Sequence, residues 1–164
     1  MKKQAKGILT MLRTKFKDEL KRAMQAKEQT AVSTLRLVNA ALKDRDIAAR
    51  GKGNMDGISD EEILTMLQSM IKQRRDSIAM YEKGGRPELA EREANEITVI
   101  ENFLPKQFTE DEIQDVIAKV MSDVDAQGLK DMGKVMGILK KEYNGQMDFS
   151  KASGMVKDSL AAIS

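Results

Sequence analysis

The stretch LPKQFTEDEIQDVIAKV, residues 104–120, decides the fold. Pro105 closes whatever helix comes before it, because the residue preceding a proline avoids helical dihedrals. Four residues on, Thr109-Glu-Asp-Glu112 has the pattern of a capping box. In that arrangement the Thr oxygen accepts an orphan backbone N–H and the Glu reaches back to the cap. Ile113, Val116, Ile117 and Val120 follow at spacings of three and four, the apolar stripe of an amphipathic helix. One helix ends, a short joint follows, and a second helix begins.

Working outward from this joint, the helical period persists on both sides. Leu12, Phe16, Leu20 and Met24 predict a first helix over about 11–26, and Leu35, Val38 and Leu42 a second over about 29–49. Gly51, Gly53, Asn54 and Gly57 mark a flexible loop. Ser59 to Glu62 reads as another capping box, opening a third helix on which Ile63, Leu67, Met70, Arg74, Ile78 and Tyr81 share a face. Gly84-Gly85 stops it, and Pro87 suits the first turn of a fourth, with Leu89, Ile97, Ile100 and Leu104 inward. Beyond the joint, the fifth helix extends its stripe to Val124. A sixth over about 131–143 carries Met132, Val135, Met136, Leu139 and Tyr143. Asn144-Gly145 breaks it, and Asp148 caps a last helix with Ala152, Met155, Val156, Leu160 and Ile163. No strand pattern competes. The fold expected is all-α: a four-helix unit over 11–104, then a small three-helix domain over 109–164.

Composition removes whole chemistries. The chain has 164 residues with no Cys, no His and no Trp. Disulfides, thiol nucleophiles, iron–sulfur clusters, imidazole metal sites and Ser-His-Asp triads are excluded. Aromatic content of 4% with 33% charge argues against a β-sandwich. No run approaches the roughly 20 apolar residues of a membrane helix. Lys2, Lys3 and Lys6 precede a short apolar run, but Arg13 and Lys15 interrupt it too early for a signal peptide. These features predict a soluble cytoplasmic protein without cofactor, metal or membrane partner.

Charge is distributed unevenly. Residues 1–50 carry 13 basic and 5 acidic groups, residues 51–104 carry 7 and 11, and residues 105–164 carry 8 and 10. No Arg follows Arg92, so bidentate phosphate recognition would have to come from the front of the chain. On a wheel of the sixth helix, Lys130, Lys134 and Lys141 lie opposite the apolar stripe, with Gly137 in line between them. Such a stripe can follow a phosphate backbone, or it can simply solubilise the outer face. Gly133 and Gly137 each cost about 1 kcal/mol relative to Ala inside a helix. Either close helix packing or ligand access to the backbone should compensate. In the third helix, Lys72, Arg74 and Arg75 form a basic knot, and Arg74 falls on the apolar stripe. If helices three and four fold as a hairpin about Gly84-Gly85, Arg74 faces Glu96, with Glu93 one turn away. That is an internal ion pair or a ligand site. Twelve Met residues fill core positions or line a groove for a partner helix.

Leu-Pro-Lys-Gln at 104–107, the Thr109–Ile113 segment and KDMGKVMG at 130–137 together resemble the GatB/YqeY family. LRLV at 35–38 and KQRRDSI at 72–78 are similar to the stand-alone YqeY-like members. The C-terminal part resembles the helical tail of the B subunit of the tRNA-dependent amidotransferase. Residues 1–10 lie outside the resemblance, and a native start at Met11 would make them an upstream extension. The resemblance implies contact with tRNA and with tRNA-charging or amidotransferase proteins. It also carries the label of a carbon–nitrogen ligase with glutamine as amido-N-donor. The chain lacks the kinase cradle, zinc ligands and glutaminase domain of a complete enzyme. The expectation is therefore a non-catalytic tRNA-associated helical module, with a protein-interaction adaptor that binds no RNA as the alternative.

Overall fold

Helices form wherever the apolar residues recur at three and four. The computed structural model describes residues 2–163, with side chains from Leu12 to Ile163. Its elements are α1 (Lys2–Gln25), α2 (Gln29–Gly51), α3 (Asp60–Lys83), α4 (Pro87–Glu101), α5 (Glu110–Asp123), a 3₁₀ turn (Leu129–Asp131), α6 (Met132–Glu142) and α7 (Phe149–Ile163). No strand occurs among the described residues. The fold is all-α. The reading of residues 1–10 as an extension concerns side chains outside those described. None of the described helices is long and apolar enough to cross a membrane.

The chain divides into two compact units, 1–104 and 105–164. In the first, Phe16, Val38, Leu42, Ile63, Met66, Leu67 and Ile100 are buried at the centre of one apolar cluster. Ala23, Ala31 and Leu35 form a smaller one beside it. The Phe16 and Phe103 rings meet edge to face, with centroids 4.9 Å apart. In the second unit, Ile117, Val135, Leu139, Met147, Ala152, Val156 and Leu160 close the core.

Several boundaries follow the local chemistry. Ser59 Oγ accepts from the Glu62 N–H, and at Thr109 both halves of the capping box are present. Gly85 takes φ +70°, a left-handed turn that glycine enters without Cβ strain. Asp148 Oδ1 accepts the Ser150 N–H at the start of α7.

Other boundaries depart from the sequence reading. Helix α1 starts well before residue 11. Met24 is 52% exposed, whereas Ala23 is fully buried. A strict spacing of four drifts about 40° per step on a helix, so by the third step the residue has left the core face. Helix α4 ends at Glu101 rather than at Pro105. Residues 102–104 instead turn Phe103 and Leu104 onto the first core. Ile163, expected inward, is 50% exposed at the last turn.

Candidate functional site

Lys134 and Lys141 stand on α6, in its first and last turns, and both are exposed. Lys130 is equally exposed, but it belongs to the 3₁₀ turn that precedes α6. The 100° wheel therefore does not apply to it, and the row of lysines bends at its N-terminal end. None of the three forms an ion pair among the described residues. Asp131 is the nearest opposing charge in sequence to Lys130 and Lys134, and Glu142 is the nearest to Lys141. The Asp131 carboxyl is held below the usual range, chiefly by the Gln127 N–H it accepts at 2.7 Å, and also by Lys130 and Lys134.

The glycines of α6 are more telling. A Cβ built on Gly133 or on Gly137 would meet nothing within 4 Å. No neighbouring helix packs against either position, so close packing does not account for them. What remains is a facet of bare helical backbone among exposed lysines.

Arg74 lies in a different unit and behaves differently. Its Nε donates to Glu96 Oε2 at 2.9 Å and its Nη1 to the Met70 carbonyl at 3.1 Å. The two side chains are only 11% and 14% exposed. Arg75 points outward and reaches Glu101 at 3.5 Å. The hairpin thus brings Arg74 and Glu96 together and leaves Arg75 on the surface. Neither lies in the unit that bears Lys130, Lys134 and Lys141. Among the described residues no cluster of three or more acidic groups is placed to hold a metal ion.

Sequence reasoning missed the strongest polar constellation. Arg13 grips both carboxylate oxygens of Asp46, at 2.7 and 3.0 Å, and also donates to the Ile58 carbonyl at 3.1 Å. Asp46 Oδ1 in turn accepts the Ile58 N–H at 2.9 Å. This network ties α1, α2 and the loop ahead of α3 into one lock. The bond from Arg13 is the main reason that the Asp46 carboxyl sits below its usual range, against the opposing effect of burial. Gly57 has φ +86°, and a Cβ there would come 2.3 Å from Asp46 Oδ1. The signal was available: Asp46 continues the Leu35, Val38, Leu42 stripe by one further step of four. A second omission is Gln107, whose side-chain amide donates to the Pro105 and Gly145 carbonyls at 2.8 and 2.6 Å. The Phe108 N–H bonds the Gln146 carbonyl alongside, so residues 105–108 are held within the second unit.

Residues 13–160 match the family described as Yqey-like protein. The chain belongs to the Yqey-like family. It is 34% identical over 152 residues to Altered inheritance of mitochondria protein 41 of Kluyveromyces lactis, covering 90% of this chain and 75% of that protein. The Saccharomyces cerevisiae protein of the same name is 30% identical over 149 residues, covering 90% and 76%. The Lachancea thermotolerans one is 37% identical over 89 residues, 54% of this chain and 46% of the relative.

Arg13, Asp46, Arg74, Glu96 and the α6 lysines all fall within the Yqey-like span. The relatives correct one expectation. They are named as mitochondrial proteins, which points to the mitochondrion rather than to the general cytoplasm. The cytoplasmic reading rested on the absence of Cys, of a membrane segment and of a signal-peptide pattern, and none of these features separates the cytoplasm from another compartment in which a Cys-free chain can reside.

Proposed function

We propose that this Yqey-like chain is a non-catalytic, tRNA-associated helical module related to the glutamine-dependent tRNA amidotransferase. In this reading its second unit corresponds to the tail of that enzyme's B subunit. Carbon–nitrogen bond formation with glutamine as amido donor would require other subunits, with this chain contributing RNA and protein contacts. The observation that carries the reading is the bare backbone of α6. Gly137, inside α6, is about 1 kcal/mol worse there than Ala, Gly133 stands in the first turn, and neither has a packing role to offset its cost. Exposed lysines flank them. Lys130, Lys134 and Lys141 would supply charge to a phosphate backbone, and Gly137 would let it approach closely.

The test is titration of the full chain with unfractionated tRNA over a series of salt concentrations. Log affinity should fall linearly with log salt. Each Lys→Ala change at 130, 134 or 141 should reduce that slope by roughly one unit, the mark of one lost phosphate contact. A triple Lys→Ala variant that keeps the parent's affinity and slope would remove α6 from the interface. If the parent shows no salt-sensitive binding, the adaptor reading replaces this one.

A further inference from the structure

The first unit holds a cavity of about 360 Å³ along the α3–α4 hairpin, with Leu37 of α2 at its edge. The RNA reading makes no use of it. Its size falls within the roughly 300–1,000 Å³ of small-molecule sites. Its charged lining is balanced: Arg74 and Arg92 against Glu93 and Glu96. Arg74 and Glu96 neutralise each other at 2.9 Å and form a floor largely removed from water. A buried pair of this kind is often no more stabilising than an apolar pair of equal volume. Stability alone therefore gives little reason for it, whereas a fixed polar floor under a cavity does.

Arg92 and Glu93 are the remaining charges, on successive residues of α4. Neither forms an ion pair with any described residue. The cavity therefore offers one uncommitted cation and one uncommitted anion. Glu93 opposes a purely anionic ligand, and Arg92 a purely cationic one. Tyr81 contributes a phenolic hydroxyl, and Leu37 and Leu89 contribute an apolar side. Leu37 is 49% exposed, so its side chain is open to a ligand in the cavity.

We propose that this cavity binds a small zwitterion, a free α-amino acid with an apolar side chain. Its carboxylate pairs with Arg92, its ammonium with Glu93, and its side chain lies against Leu37 and Leu89. The site is built from residues of the first unit and the α6 lysines belong to the second, so it can hold whether or not the chain binds RNA.

The experiment is titration of the isotope-labelled full chain with L-leucine, followed by backbone amide shifts. N-acetyl-L-leucine and L-leucinamide, each lacking one of the two charges, are titrated in parallel. L-Leucine at millimolar concentration should shift amides around Tyr81, Leu89 and Arg92, and each analogue should bind at least about tenfold more weakly. Arg92→Gln and Glu93→Gln change groups outside the core. Each should weaken L-leucine binding by a similar factor while helical content stays unchanged. Absence of shifts with L-leucine, equal binding of either analogue, or equal binding by both variants would overturn the proposal. A tRNA titration of the same two variants separates the readings, because the α6 surface is intact in both.

Discussion

The two units spend charge in opposite ways. In the first, two arginines are turned inward while the others stay on the surface: Arg13 clamps Asp46, and Arg74 bridges Glu96 and a backbone carbonyl. In the second, which has no arginine, the core is apolar and lysines face water. The difference follows from side-chain chemistry. A guanidinium offers a rigid fork of donors that can satisfy a buried carboxylate and a carbonyl at once. An ammonium is a strongly hydrated point charge that is better left at the surface. The first unit thus uses two of its arginines to fix its own helices, whereas the second leaves the lysines of its α6 face in water.

The sharpest way to break this contrast is Gly57→Ala. The new Cβ would force a non-glycine residue to φ +86° and push into Asp46 Oδ1 at 2.3 Å, displacing it from Arg13. A loss of about 3–4 kcal/mol is expected from strain and the broken lock together. Chemical denaturation should show it, and an unchanged midpoint would mean that the lock contributes nothing.

Next in size is Arg74→Glu, which sets a carboxylate against Glu96 and should cost about 1–3 kcal/mol. The double change Arg74→Met with Glu96→Leu refines the point. Apolar replacement of a buried pair is often neutral or stabilising, so the double variant should melt at or above the parent. If it does, the pair serves the cavity more than the stability of the hairpin. A double variant as unstable as Arg74→Glu would assign the pair a structural role instead.

The helices themselves were largely legible in the sequence, because the apolar stripes marked each one and cap or breaker signals agreed with them at boundaries such as Ser59, Gly84-Gly85 and Thr109. Thr109 shows this best: one short segment carried both halves of its cap. The pairing of Arg74 with Glu96 could be anticipated by folding the numbering back about Gly84-Gly85, since a two-helix hairpin fixes which positions face. The lock at Asp46 could not be reached that way. Its partners come from positions 13, 57 and 58, and nothing local relates α1 to the loop after α2. The α6 glycines were legible as a cost but not as an answer. Only the empty space around them separates bare backbone from close packing.

In the second unit the effects are smaller and of opposite sign. Gly133→Ala and Gly137→Ala should each stabilise by about 0.5–1 kcal/mol, because Ala is the better helix former and the added methyl meets nothing. Gly137→Ala should at the same time weaken tRNA binding, since it fills the gap between the lysines. A variant that gains stability and keeps full affinity would leave the glycine without a ligand role. One that loses stability would show that a neighbour packs there after all.

The smallest expected effect is on pH dependence, and it tests the inward use of charge directly. Asp46 is held below its usual 3.8 in the folded state, chiefly by Arg13. The folded state therefore binds its proton less readily than the unfolded state does. That stabilisation is fully present above the unfolded value and is lost as pH falls through the folded one. The melting-temperature gap between the parent and Asp46→Asn should thus stay constant between about pH 5 and 8 and narrow below about pH 4. The chain has no His, so no side chain of ordinary pKa titrates near neutrality to obscure the plateau. In the second unit the depressed carboxyls, such as Glu110 beside Lys151 and Asp131 at the Gln127 N–H, are on the surface. Neutralising them should leave melting nearly unchanged at any of these pH values. A gap for Asp46→Asn that persists unaltered in acid would mean that the carboxylate charge is not what holds the lock, and the contrast between the units would then rest on packing alone.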